Sequence, residues 1–252
     1  MNLAVCLKRV PDTAAKIKIA ADGKGIDPQG VEFAISPYDE LAIEVALRLK
    51  EKAGKGEVTA VSVDPDGSDV ILRKALAIGA DKGLLAKGGP TLDGWPVAQM
   101  LAALLKGRPF DLLLFGKQAV DDDGYQVPTM VAQLLGLPRV TVCSALEIDG
   151  GKAKARRQIE GGEELVELAL PCVVSVQKGV NGIHDKRYPS LMGIKASKTK
   201  PVETVPVPEA APSLELVKLT PPPERPPGRI VGQGAAAVPE LVRLLKEEAK
   251  VL

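Results

Sequence analysis

Apolar residues recur along this chain at two different periods, and the period switches repeatedly. Residues 3–7 (LAVCL), 58–63 (VTAVSV), 82–87 (KGLLAK) and 111–115 (DLLLF) are short apolar runs, each the length of a buried strand. Between them the spacing becomes helical. Leu41, Val45 and Leu49, with Ala42 and Ala46, form one apolar face. Leu72, Ala75 and Leu76 form a second, and Met100, Leu101, Leu104 and Leu105 a third. The first helix starts at Ser36 as N-cap with Pro37 at the first helical position, and stops near Gly54. The other helices are expected over 68–79, 91–107 and 127–136. Residues 16–26 (KIKIAADGKGI) alternate and turn at Asp22-Gly23, which predicts a hairpin or an extended excursion. Strands joined by single amphipathic helices imply right-handed crossovers and a mainly parallel sheet. The expected fold is therefore an open doubly wound α/β domain.

After Pro138 the pattern changes. Residues 140–148, 152–159 and 164–170 read as antiparallel strands, turning at Asp149-Gly150-Gly151 and Glu160-Gly161-Gly162. Residues 172–176 (CVVSV) form another buried strand. Residues 179–199 are polar, basic and glycine-bearing, which predicts an exposed loop. Residues 201–227 are rich in proline and read as an extended linker. Residues 238–252 form a final amphipathic helix with Leu241, Leu244 and Leu245 on one side. It docks on another chain or packs back on its own domain; periodicity does not choose. The expected division is an α/β domain over 1–205 and a tail over 206–252.

Composition narrows the function. Apolar residues make up 45% and charged residues 26%, with a net charge of +1. No bulk field draws nucleic acid or an anionic membrane. Aromatics at 3% argue against a base-stacking surface. No apolar stretch reaches the roughly 18 residues of a membrane span. The first ten residues, MNLAVCLKRV, read as a strand rather than a signal peptide. Cys6, Cys143 and Cys172 each lie in a strand-like run, as reduced thiols of a cytoplasmic protein would. Their spacing supports no zinc site. His184 is the only histidine, so no Ser-His or Cys-His pair exists away from it. Two asparagines, Asn2 and Asn181, beside 21 prolines lean toward a thermophilic source.

The candidate chemistry sits at residues 115–130, FGKQAVDDDGYQVPTM, where a strand runs into a helix. One of Asp121, Asp122 and Asp123 serves as a helix N-cap; three are more than capping needs. A hard-metal site gathers carboxylates from several segments, and no second acidic cluster is present in the sequence. A nucleotide fits better. In open α/β sheets ligands sit beyond the carboxyl ends of the strands, at the switch point. Backbone amides around Gly124, Tyr125, Gln126 and Val127 can take a phosphate, and the aspartates can bond ribose hydroxyls or shape the loop. Cys6, residues 36–39 and Val63 converge at the same end. There is no Walker P-loop. GQGAAA at 232–237 follows no strand and reads as linker.

Several segments resemble the beta subunit of electron transfer flavoprotein. They are VCLKRVPD (5–12), ISPYDELAIEVALRLKE (35–51), GKQAVDDDGYQ (116–126), EGGEELVEL (160–168) and KRYPSLMGIKASKTKP (186–201), in the family's order over nearly the whole length. The resemblance implies a heterodimer with an alpha subunit that carries most of an FAD site. It implies a structural AMP in this chain, contacted by Cys6, Ser36, Pro37, Tyr38, Asp39, Val63, Gly116, Lys117, Gln118, Ala119, Val120, Asp121, Asp122, Asp123, Gly124, Tyr125, Gln126 and Val127. Tyr38 matches an aromatic near the flavin edge. Electrons would arrive from acyl-CoA or related dehydrogenases, as in fatty acid oxidation, and leave to a quinone oxidoreductase. Arg187, Tyr188, Pro189, Ser190, Leu191, Met192 and Gly193 match the loop that docks on the dehydrogenase, with Leu191 as its anchor. One exposed leucine on a basic loop can fill an apolar pocket while Lys186, Arg187, Lys195 and Lys198 steer, or it is an incidental surface residue. Tyr125 stands where many relatives carry asparagine, and Gln158 stands where an acidic residue is familiar. The segment GVNGIHDKRYPSL is longer than the common form. Bifurcating members hold a second FAD in place of AMP and typically have glycine at the middle of the acidic run, so Asp122 favours AMP. The remaining alternatives are a stand-alone adenine-nucleotide regulator and an adenylating enzyme. No catalytic residue is expected in this chain.

Overall fold

The computed structural model describes residues 1–88, 93–208, 210–224 and 227–252. The expected start of the third helix at residue 91, and residues 209, 225 and 226 of the expected linker, lie outside the described residues. Met1–Lys218 form one compact unit and Leu219–Leu252 another.

In the first unit, β1 (Asn2–Cys6) is followed by two short strands, β2 (Arg9–Pro11) and β3 (Phe33–Ile35), paired with each other. Then come α1 (Pro37–Ala53), β4 (Glu57–Asp64), α2 (Val70–Ile78), β5 (Lys82–Lys87), α3 (Gly94–Leu105), β6 (Leu112–Gly116) and α4 (Val127–Leu135). Strands β7 (Arg139–Asp149), β8 (Lys152–Ile159), β9 (Gly162–Ala169) and β10 (Cys172–Val176) follow, then α5 (Leu191–Ser197) and β11 (Val202–Val205). The second unit holds α6 (Val238–Glu247).

The main sheet has nine strands in the order β11-β5-β4-β1-β6-β10-β7-β8-β9. Pairing is parallel from β11 to β7 and antiparallel in β7-β8-β9, so the hairpin extends a doubly wound sheet. The winding direction reverses between β1 and β6. Both are buried on two faces, and the two-residue period sorts their side chains. Leu3, Val5, Leu112 and Leu114 join the core under α1 and α2, whereas Ala4, Cys6, Leu113 and Phe115 join the core under α3 and α4. Burial on both faces explains why these strands read as continuous apolar runs.

One sequence expectation is narrowed and three change. Residues 16–26 take the extended-excursion alternative: the chain turns at Asp22-Gly23 and is held by a single antiparallel bridge, Ile19 to Ile26, while the paired strands lie outside them, at β2 and β3. Three-residue strands are too short for a periodic signal. The expected loop at 179–199 contains α5. Ser190 caps it, its hydroxyl accepting the Gly193 N–H at 3.0 Å, and Arg73 on α2 donates to the carbonyls of Ser197 and Lys200, both at 2.8 Å. The final helix ends at Glu247 rather than 252. The expected linker also begins with β11, which pairs with β5.

Candidate functional site at the carboxyl ends of the strands

The parallel strands β4, β1, β6 and β10 finish at the same end, so Asp64, Cys6, Gly116 and Val176 lie along one rim. The N-terminus of α1 crosses this rim at the β1/β6 reversal. Ser36 and Asp39 are both buried there. Asp39 Oδ2 accepts the Lys8 N–H at 2.8 Å, and Oδ1 accepts the Gly116 N–H at 3.0 Å. One carboxylate thus ties the ends of β1 and β6 to the first turn of α1. Burial pushes the Asp39 carboxyl up to about 7 despite those two amide bonds. Burial, and the Asp39 charge after it, raise the Cys6 thiol well above its ordinary value. That thiol is an inert part of the wall.

Gly116 is required by close approach. A Cβ there would meet Asp39 Oδ1 at 2.6 Å and the Tyr38 backbone carbon at 2.7 Å. Ser36 starts α1 as expected, but its hydroxyl makes no cap bond; it reaches the Gln118 carbonyl at 3.5 Å. Val63, one residue before the end of β4, packs into the core under α3. Lys117 projects its ammonium between two phenol rings, 5.0 Å from the Tyr38 centroid and 5.5 Å from that of Tyr125.

The aspartate turn is not a helix cap. The N-cap of α4 is Gln126, without a side-chain bond, and its first turn holds no acidic residue. Left-handed residues Asp123 (φ 48°) and Tyr125 (φ 58°) carry the chain round before the helix starts, which puts the aspartates out of capping register. Each has another partner. Lys8 Nζ bridges Asp121 Oδ1 at 2.8 Å and Asp122 Oδ2 at 2.7 Å. Asp122 Oδ1 accepts the Gly124 N–H at 3.0 Å, and Asp123 Oδ1 accepts from Gln118 Nε2. Burial works against the Asp122 carboxylate, but the hydrogen bonds from Lys8 and the Gly124 amide, with the Lys8 charge, together hold the group below its usual range. Lys8 was missed by sequence reasoning. Its position two residues past the end of β1, beside a switch point, is the signal that could have found it.

Two features leave polar groups unclaimed. Among the described residues the amides of Tyr125, Gln126 and Val127 have no protein acceptor. The Gln118 Oε1 atom is buried with no hydrogen-bond donor in the protein. Unclaimed amides at a helix N-terminus suit an anion, and an orphaned acceptor suits a hydroxyl or amino donor. Ala119 and Val120 complete the turn, the Ala119 carbonyl accepting the Asp123 N–H at 2.9 Å.

The second sequence-predicted cluster, residues 187–193, lies elsewhere, on a shoulder formed by α5 against α2. Gly193 makes the approach possible: a Cβ would stand 2.4 Å from the Ala77 carbonyl oxygen. Tyr188, Leu191 and Met192 are exposed, Leu191 at 87%. Arg187 is not a free steering charge. It donates to Glu44 Oε2 at 2.7 Å and to Glu51 Oε1 at 2.6 Å on α1, and Lys186 pairs with Glu40. Burial opposes the Glu44 carboxylate, but hydrogen bonds from Arg187 and Arg48 hold it below its usual range. Pro189 and Ser190 link this clamp to α5.

An open doubly wound α/β unit with an anion-suited turn at its switch point defines the class of the molecule. A family model described as "Electron transfer flavoprotein domain" matches residues 24–210. "Electron transfer flavoprotein subunit beta" of Syntrophomonas wolfei is 39% identical over 252 residues, covering 100% of this chain and 98% of that protein. The protein of the same name from Bacillus subtilis is 40% identical over 263 residues and that from Homo sapiens 36% over 255, each covering all of this chain and at least 99% of the relative. The chain belongs to the electron transfer flavoprotein family.

Proposed function

We propose that the chain is the beta subunit of a heterodimeric electron transfer flavoprotein, holding AMP at the strand-end site. The observation that carries this reading is the pairing of three unclaimed amides at 125–127 with the orphaned Gln118 Oε1, in a member of this family. The amides and Lys117 suit the phosphate; Gln118 and the aspartates suit the sugar and base. AMP supplies no redox chemistry; it fills and stiffens the junction of α1, β1 and β6. FAD, held mainly by an alpha subunit, supplies the electron chemistry, and this chain's task is to complete and orient that site, with Tyr38 on the near side.

The exposed apolar residues of α5 are the proposed contact for acyl-CoA-type dehydrogenases, and a quinone oxidoreductase takes the electrons onward. A small apolar anchor suits a transient contact that must release quickly. The tail over 206–252 is proposed to pack on the alpha subunit; Val238, Leu241 and Val242 of α6 are exposed for it. No described helix is long and apolar enough to cross a membrane. The proposed compartment is the cytoplasm; the relative from Arabidopsis thaliana is named mitochondrial.

The test is co-expression with a cognate alpha subunit, followed by release and identification of bound nucleotides. One FAD and one AMP per heterodimer is the expected result. Two FAD would replace this reading with that of a bifurcating flavoprotein, and ATP turnover by the isolated chain would overturn it.

A further inference from the structure

Lys8 joins the end of β1 to two other segments of the strand-end site, the start of α1 and the aspartate turn. Its N–H donates to Asp39 at 2.8 Å, and its carbonyl accepts the Ser36 N–H at 3.1 Å. Its ammonium bridges Asp121 and Asp122 at 2.8 and 2.7 Å. The backbone contacts are set by the end of β1, so the side chain is the adjustable link to the acidic turn. Asp122 is thereby held from both sides, by Lys8 and by the Gly124 amide at 3.0 Å. The three amides without acceptors begin at the next residue, Tyr125.

The charges make the link informative. A phosphate carries between one and two negative charges near neutral pH, and three carboxylates beside it repel it. Lys8 and Lys117 offset two of the three. The Lys8 side chain is 42% exposed, so its ion pairs add little to stability. Its effect should therefore fall on what the turn can bind.

Resting on the AMP reading above, we infer that Lys8 is a positioning residue for the phosphate end of a nucleoside monophosphate. It holds the aspartate turn so that the amides of residues 125–127 face the ligand, and it screens two carboxylates from the phosphate. A purely structural role would weaken AMP and adenosine alike. A screening role separates them, because adenosine has no phosphate to repel.

The experiment titrates AMP and adenosine into the heterodimer freed of bound nucleotide, for wild type, Lys8→Met and Lys8→Arg. Lys8→Met should weaken AMP by about tenfold or more and adenosine by less than about threefold, a difference of the size expected for one partly screened charge. Lys8→Arg should restore most of the AMP affinity, and high salt should shrink the Lys8→Met deficit. Equal losses for both ligands, or unchanged AMP binding in Lys8→Met, would overturn the inference. Should Lys8→Met not assemble, Asp122→Asn keeps an oxygen for the Gly124 amide and removes one negative charge; it should raise the preference for AMP over adenosine, and a fall overturns the role. Wild type that binds neither ligand sinks the site reading itself. Wild type that binds AMP beside an unaffected Lys8→Met removes only the part assigned to Lys8.

Discussion

At the strand ends the polar groups hold one another and the backbone around them, with Ser36 and Asp39 buried; on the α5 shoulder they sit underneath and leave apolar groups facing water. Asp39 is buried and bonded to two amides, while Leu191 is 87% exposed with Arg187 fastened to α1 just before it. Both regions hang from α1: its first turn supplies Ser36 and Asp39, and its middle supplies Glu44 and Glu51. The difference teaches what each surface is suited to. A site that must order a small polar ligand spends its own polar side chains on fixing backbone amides. A surface that must meet another protein briefly spends them on holding a short helix still, and offers apolar atoms outward.

The contrast can be broken first at Gly116. Gly116→Ala puts a methyl group 2.6 Å from Asp39 Oδ1 and 2.7 Å from the Tyr38 backbone. Forcing those elements apart should cost on the order of 3 kcal/mol and empty the strand-end site. Denaturant melts and nucleotide content of the heterodimer measure both; an unchanged melt would mean that the junction is looser than described. Arg187→Ala comes next. It leaves Glu44, whose side chain is 4% exposed, with Arg48 alone. A loss of about 2 kcal/mol follows from removing one of the two cations that satisfy a buried carboxylate, less than for a fully stranded charge because Arg48 remains and Arg187 is itself partly exposed. Faster hydrogen exchange should be confined to residues 186–197; a loss spread over the sheet would contradict the clamp.

Asp39→Asn sharpens the comparison through pH. The amide offers one acceptor oxygen where the carboxylate had two, so one N–H loses its partner at about 1.5 kcal/mol. The folded state raises Asp39 from 3.8 to about 7, so it holds a proton that the unfolded chain releases. Its contribution to stability is full below about pH 4 and is lost as pH rises through about 7. Asp39→Asn should flatten that part of the stability–pH curve; the wild-type slope surviving in the variant would remove the assignment. The smallest stability effect belongs to Leu191→Ala, under about 0.5 kcal/mol because the side chain is already in water. Its consequence should be slower reduction of the heterodimer by its donor dehydrogenase, seen by stopped-flow, and unchanged donor kinetics would discard the anchor.

Much of the fold was legible because burial on two faces writes itself into the chain. The β1 and β6 runs and the apolar faces of α1 to α3 were all readable, and α1 ends at Gly54 as expected, with that glycine left-handed. What failed was short or conditional. The β2-β3 pair has three residues a side, too few for a period. The α5 helix has seven residues and draws on Arg73, from another helix, to satisfy the carbonyl of its last residue, Ser197. At the site, Gly116 and the aspartates were singled out from the chain. Their roles were not: Asp121 to Asp123 looked like a cap plus a surplus and proved to be held by Lys8, Gly124 and Gln118.

From the sequence alone came the alternation of buried strands and amphipathic helices, and with it the parallel sheet, the strand end proposed as the ligand site, and the family. Those follow from local periods, which a linear string records directly. Which carboxylate holds amides, which pairs with lysine, and which basic residues remain free for a partner were decided only by tertiary structure. Lys8 meets Asp121 across 113 residues of chain, and Arg187 meets Glu44 across 143. Charge pairing across such separations leaves no periodic trace, because it depends on where the sheet's winding brings each segment to rest.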